Sequence, residues 1–172
     1  MIGEREQLIK DEGLKLKPYL CTAKKITIGI GRNLEDNPLT PDEVMVFLLP
    51  RPHIRLRNTE ISEIRDLLLE DFRVNGITKD EAFYLFENDV KRFSAQLFRA
   101  LPWLKWQPVE VQRILLNMTF QMGIAGLLTF VNTLAAVESG DYIAASEKMK
   151  LSLWYTQTPE RADRLIKRMA AV

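Results

Sequence analysis

Glu12, Cys21 and Thr27 carry the side chains in this chain best suited to chemistry. Eight residues separate the first two and five the last two. They sit in Asp11-Glu12-Gly13-Leu14-Lys15-Leu16-Lys17-Pro18-Tyr19 and, further on, Ile26-Thr27-Ile28-Gly29-Ile30-Gly31. Breaking a sugar–sugar bond needs an acid to protonate the departing oxygen. It also needs a group on the other side that activates water or stabilises charge. Glu12 suits the first role. The surprise is the second, where a cysteine stands instead of a carboxylate. A free thiol has a pKa of about 8.5 and needs a cation nearby to ionise near neutrality; Lys24 and Lys25 are close in sequence. The thiolate could act as base, electrostatic stabiliser or covalent nucleophile, with inversion or retention; the residues leave these open.

The pattern around them predicts the elements that must hold them. Residues 3 to 12 carry Leu8 and Ile9 among charges, a short amphipathic helix. Tyr19 to Gly31 reads as a β-hairpin with a polar turn at Lys24-Lys25 and alternating Ile26, Ile28 and Ile30. Gly29-Ile30-Gly31 lacks a third glycine and runs into a loop, which excludes a dinucleotide fingerprint. Residues 38 to 74 read as a helical insertion on this small lobe. Thr40-Pro41-Asp42-Glu43 is a capping box, Pro50 stops the helix, and Arg51 to Arg57 reads as a basic, extended, solvated strip. A second helix puts Ile61, Ile64, Leu67, Leu68 and Phe72 on one face before Asn75-Gly76. Thr78-Lys79-Asp80-Glu81 caps the longest helix, Lys79 to Ala100, read as a connecting rod within 75–101. Residues 102–172 read as helical: one helix into Gln121, one from Gly126 to Val137, one from Asp141 to Met149, and a last one from Thr158-Pro159-Glu160. The expected fold is α+β within one domain, 1–172: an N-terminal lobe with a hairpin (1–37), the insertion, the connecting helix and an all-helical C-terminal lobe. A cleft between lobes would suit an extended ligand.

Composition narrows the classes. The 172 residues are 47% hydrophobic and 27% charged, with a formal net charge of +1. Nothing global draws the chain to nucleic acid. Ile124 to Val137, the longest mostly apolar stretch, is too short to span a bilayer. One Cys and one His allow no internal disulfide and no His/Cys metal site, so no cofactor or metal is expected. His53, which follows Pro50-Arg51-Pro52, reads as a surface residue. Asn117-Met118-Thr119 matches a glycosylation acceptor but falls in a helical pattern, and no signal peptide precedes it.

With Gly76-Ile77-Thr78-Lys79-Asp80-Glu81-Ala82, Asn117-Met118-Thr119-Phe120-Gln121-Met122-Gly123 and Trp154-Tyr155-Thr156-Gln157-Thr158-Pro159-Glu160-Arg161-Ala162, these blocks resemble the phage-type lysozymes, the glycoside hydrolase family 24 muramidases. The resemblance covers most of the chain outside 38 to 74. It implies a lysozyme-like fold and cleavage of the β-1,4 bond between N-acetylmuramic acid and N-acetylglucosamine in peptidoglycan. It makes Glu12 the proton donor, Cys21 the residue at a position usually held by aspartate, and Thr27 the catalytic threonine. Arg161 matches the arginine that pairs with the acidic residues at Asp11 and Glu12. Phe120 and Thr133 match positions that touch the glycan; Asn33 and Lys148 do so too, with different residue types. Arg32 replaces a histidine common in the family, so a histidine salt bridge is lost there.

The implied partner is the peptidoglycan glycan strand, met by a monomer with no nucleic acid and no stable membrane insertion. The implied role is that of a phage or prophage endolysin. It would be held in the host cytoplasm until a membrane pore releases it to the wall. Two rival readings stand beside this one: a lytic transglycosylase, which needs the acid but no second carboxylate, and a silent lysozyme-like binding module. Trp103, Trp106 and Trp154 read as core or lobe-joint packing rather than sugar-stacking residues.

Overall fold

The computed structural model describes residues 2–21, 24–56 and 59–172, with side chains from residue 6 onward. The chain divides into two compact units, residues 6–89, and the first few residues together with 90–172.

The N-terminal unit begins with most of α1 (Ile2–Glu12). The glycine after it, Gly13, has φ +73° and donates its N–H to the Ile9 carbonyl at 2.9 Å. That left-handed residue ends the helix and leaves Glu12 on its last turn. Three antiparallel strands follow in the order β1 (Lys15–Leu20), β2 (Ile26–Gly29), β3 (Arg32–Asn33). Tyr19 pairs with Thr27, and Thr27 in turn with Asn33. The hairpin is longer than the alternation predicts. β1 starts at Lys15 and tolerates Pro18 because it is an edge strand. β3 is too short to show any alternation.

α2 (Pro41–Leu48) carries both halves of the Thr40–Glu43 capping box. α3 (Ile61–Asn75) and α4 (Lys79–Ala100) follow. Leu39, Val44, Phe47, Leu68 and Phe72 form one buried cluster with Ile28, Ile77, Ala82 and Leu85. α3 is tied to the sheet at its end. Gly76 (φ +77°) lets the chain pass so close to the Leu16 carbonyl that a Cβ would lie 2.8 Å from it, and Ile77 N–H donates to the same carbonyl at 2.7 Å. Segment 38–74, the expected helical insertion, supplies five of the nine side chains of that cluster.

Within it the expected solvated basic strip is corrected at Arg51. Arg51 is only 7% exposed. Pro50 ends α2 and the chain folds back, with Arg51 N–H donating to the Leu48 carbonyl. The guanidinium turns inward beside the rings of Phe47 and Phe72. It donates to Asp71 at 2.6 Å, to the Phe47 carbonyl at 2.8 Å and to Glu81. A buried cation is tolerable only when paired in this way. Burial alone would raise the Asp71 carboxyl; bonds from Asn75, Arg51 and His53 nevertheless hold it below its usual value. His53 is at the surface, as expected, with Nε2 2.9 Å from Asp71. Arg55 is exposed, and Arg57 lies outside the described residues.

The C-terminal unit takes α4 from Val90 onward. It adds a 3₁₀ turn (Pro102–Trp106), α5 (Val109–Leu128), α6 (Val131–Glu138), α7 (Tyr142–Lys150), α8 (Leu153–Gln157) and α9 (Pro159–Ala170). Leu104, Val111, Ile114, Leu115, Met118, Val137, Met149 and Leu165 centre its core. Gly123 (φ 71°, ψ 167°) kinks α5, the joint its sequence position predicts. A break at Thr129–Phe130 turns α6 by 103°, so the helix read from Gly126 to Val137 is two helices. α8 was not predicted; Ser152 caps it by accepting the Tyr155 N–H. Trp154 is core, donating its indole N–H to Gln121 at 2.8 Å, and Trp103 packs against the same cluster. Trp106 is 80% exposed, with the Lys105 ammonium 5.0 Å from its ring centroid. No single helix among the described residues is long and apolar enough to cross a membrane.

Candidate active site

In the N-terminal unit, Glu12 is held by backbone shape. The β2–β3 turn passes through Gly31 at φ +75°. A Cβ there would lie 2.9 Å from Glu12 Oε2 and 3.3 Å from its Cγ. The Glu12 side chain thus lies directly on a bare backbone, room that only glycine leaves. Gly31→Ala should displace the carboxylate and strain the turn. The expected result is at least a tenfold fall in glycan cleavage with far-UV circular dichroism unchanged. Unaltered turnover would show that this wall does not position Glu12.

Tyr19 feels the charges of both Glu12 and Cys21. Burial pushes the Tyr19 phenol above its ordinary value, and the charges of Glu12 and Cys21 push it further. The carboxylate, the phenol and the thiol therefore share one electrostatic environment. Tyr19 is the residue that sequence reasoning missed. Tyr19 stands opposite Thr27 in the ladder, a pairing that strand register sets and sequence spacing does not. Cys21 is half-buried at the hairpin end; its N–H donates to the Lys25 carbonyl, and its own carbonyl accepts from Lys24. Lys25 donates to Asp36 at 2.6 Å, and that bond together with the charges of Asp36, Glu35 and Cys21 raises its ammonium above its usual value. Lys24, at φ +58°, is exposed.

Thr27 is 3% exposed, and its hydroxyl donates to the Lys25 carbonyl at 3.1 Å, leaving its lone pairs as acceptors. Asn33 is committed to its own loop. Its Oδ1 accepts the N–H groups of Glu35 and Asp36, and its Nδ2 donates to Asp36 at 2.8 Å. Asp11 accepts from Gln7 at 2.9 Å.

The histidine salt bridge has a substitute. Arg32 is 2% exposed and donates to Asp89 at 2.7 Å and to both Glu43 oxygens at 2.8 and 3.0 Å. Burial raises the Glu43 carboxyl, but bonds from Arg32, the Thr40 N–H and Asn88 bring it down to about 2. Arg32 thereby pins β3 immediately after the Gly31 turn.

In the C-terminal unit, Arg161 is buried and held by Asn117. Its Nε donates to Asn117 Oδ1 at 2.8 Å and its Nη2 to the Asn117 carbonyl at 3.1 Å. Phe120 is largely internal, its ring 5.1 Å from that of Phe93. Thr133 and Lys148, far apart in sequence, meet on the wall of one groove of about 590 Å³. Among the described residues no cluster of three or more His, Cys, Asp or Glu could hold a metal ion.

The phage lysozyme family model matches residues 9–171. The chain is 32% identical over 169 residues to the pre-baseplate central spike protein Gp5 of Enterobacteria phage T4. That match covers 93% of this chain and 26% of the spike protein, so the chain spans about a quarter of that relative's length. It is 30% identical to probable T4-type lysozyme 1 of Dictyostelium discoideum, covering 96% of this chain and 93% of that protein. A shorter stretch of 56 residues, a third of this chain, is 45% identical to 6% of the peptidoglycan hydrolase gp36 of Pseudomonas phage phiKMV. Matched along nearly its whole length, with an α+β architecture to suit, this chain belongs to the phage lysozyme family.

Proposed function

We propose that the protein is a muramidase. It hydrolyses the β-1,4 bond between N-acetylmuramic acid and N-acetylglucosamine of peptidoglycan, in the lysis of a bacterial host by a phage or prophage. The observation that carries this reading is Glu12, a carboxylic acid seated against Gly31 in the same environment as Tyr19 and Cys21.

In this mechanism Glu12 gives its proton to the bridging oxygen as the bond from that oxygen to the anomeric carbon breaks. A water oxygen bonds to the anomeric carbon, and the proton that water loses restores Glu12 or passes to the second group. Cys21 is that second group, on the opposite side of the bond; base, stabiliser and nucleophile remain its three roles. Thr27 orients through its acceptor lone pairs, and Asp11 and Arg161 are the proposed supporting residues. Phe120, Thr133, Asn33 and Lys148 are the proposed glycan contacts. Asn33 serves mainly by shaping its loop.

Purified peptidoglycan, cleared by the protein and analysed by mass spectrometry, tests the reading. New reducing ends are expected. Anhydro sugar ends would replace hydrolysis by the transglycosylase reaction, and no cleavage would leave a binding module. Cys21→Asp should keep activity within about tenfold, because a carboxylate does the same work without needing a lowered thiol pKa. Cys21→Ala or alkylation should cost about 10²-fold or more. Normal clearing by alkylated protein would reduce Cys21 to packing.

The match to the spike protein favours a second setting, in which the same cleavage serves a phage particle. Co-sedimentation of the protein with purified virions, against its recovery free in the lysate, separates the two settings.

A further inference from the structure

The hairpin that carries Cys21 puts a cation on the same face as the thiol. In an antiparallel ladder, directly opposite residues project to one side of the sheet, and the side changes with every step. Tyr19 stands opposite Thr27, and Leu20 opposite Ile26. One step further Cys21 stands opposite Lys25, and its N–H closes the hairpin by donating to the Lys25 carbonyl at 3.0 Å. Tyr19, Cys21, Lys25 and Thr27 therefore share one face, and Leu20 and Ile26 take the other. The Cβ atoms of such opposite pairs lie about 4.5–5.5 Å apart. Lys24 is placed differently: it sits in the turn at φ +58° and is exposed.

Asp36 reaches the same lysine from the loop after β3. Its two oxygens accept Lys25 Nζ at 2.6 and 2.5 Å, and Asn33 Nδ2 donates to it at 2.8 Å. Asn33 is itself the ladder partner of Thr27. The Lys25 ammonium thus bonds a carboxylate and also feels the charge of Cys21. Such coupling is reciprocal: a thiolate that favours the charged lysine is favoured by it in turn. The anions nearby work the other way. Glu12 acts with Cys21 on the Tyr19 phenol, and Glu35 acts with Asp36 on Lys25; each disfavours a further negative charge. Lys15 places its ammonium 3.9 Å from the Tyr19 ring centroid.

We propose that Lys25 is the positioning residue that favours the ionised form of Cys21, and that Asp36 limits how far it does so. The inference deepens the reading of Cys21 as the second catalytic group and rests on it. A carboxylate at this position would be ionised without help; a thiol of ordinary pKa, about 8.5, is not. Lys25 and Cys21 are half-buried at the hairpin end, so solvent screens the pair and the effect is modest.

The chain has one cysteine, so alkylation by iodoacetamide reads Cys21 alone. Its rate against pH gives the midpoint of thiol ionisation, a quantity that loss of packing does not set. Lys25→Met should raise that midpoint by at least about half a pH unit. Lys25→Arg, which keeps the charge, and Lys24→Met should leave it in place. Asp36→Asn should lower it, and this second shift should shrink by about half or more in the Lys25→Met background, because Asp36 acts through the lysine. Far-UV circular dichroism checks that each variant is folded. An unmoved midpoint in Lys25→Met, an equal shift in Lys24→Met, or an Asp36→Asn shift undiminished without Lys25 would each overturn the proposal. Wall clearing by the same proteins across pH separates the underlying reading. Its rising limb should move with the thiol midpoint. A midpoint that moves while that limb stays in place leaves the hold of Lys25 on the thiol standing and removes Cys21 from catalysis.

Discussion

Glu12→Gln should leave a folded protein that cleaves peptidoglycan at least 10³-fold more slowly. Glutamine keeps the shape of glutamate, so contact with the Gly31 turn survives. The amide has no proton to give at the moment the glycosidic oxygen departs. Proton transfer by a positioned side chain contributes typically about 10²–10⁴-fold. Glu12 ends α1 and is half-buried rather than part of the packed core, so the substitution should not move the denaturation midpoint appreciably. Initial rates of turbidity loss, read with the yield of new reducing ends, measure the effect. A variant within tenfold of the parent, about 1.4 kcal/mol of barrier, would remove Glu12 from the role of general acid. The acid would then have to be sought elsewhere in the chain.

Much of the N-terminal unit could be read from local signals. The Thr40 and Thr78 capping boxes, the prolines at helix starts and Gly76 fix their neighbours through contacts within four residues, and these appear in the structure where the pattern puts them. Elements set by distant partners escaped. β1 is longer than its pattern because its ladder with β2 shifts register between Lys15 and Tyr19 and so accommodates Pro18. β3 and α8 span two and five residues, too few to display a period. The misreading of Arg51 is instructive. Three arginines within seven residues, beside two prolines, look solvated by composition. The carboxylates that bury this one come from Asp71 and Glu81, 20 and 30 residues further along. The site divides the same way. Glu12, Cys21 and Thr27 announce themselves by spacing, whereas Tyr19 emerges only from strand register. Asn33 turned out to be occupied by its own loop.

The largest effect on stability should come from Arg32. Replacing it with methionine keeps much of the buried volume but leaves the Glu43 and Asp89 carboxylates without their cation. Glu43 is 1% exposed and Asp89 2%. Removing one partner of a buried ion pair costs about 3–5 kcal/mol, a large share of the roughly 5–15 kcal/mol that holds a typical domain together. The sign of the pH dependence follows from Glu43, whose carboxyl in the folded protein is depressed to about 2 from an ordinary 4.5. Its contribution is fully present above about pH 4.5 and is lost as pH falls from there toward 2. In Arg32→Met the depressing bonds from the guanidinium are gone, so protonating Glu43 relieves the variant where it burdens the parent. The stability gap should therefore be widest at neutral pH and should narrow steadily below about pH 4.5. Urea midpoints of both proteins at pH 7 and pH 3 measure it. Arg32→Lys, which restores the charge but not the forked geometry, should recover only part of the loss. A gap that stays constant across that range would mean that Glu43 draws its stabilisation from Thr40 and Asn88 rather than from Arg32. Because Arg32 follows Gly31 directly, the loosening should reach the turn that Glu12 rests on. Arg32→Met should then lose glycan cleavage even at temperatures where it remains folded, by raising the mobility of that one wall.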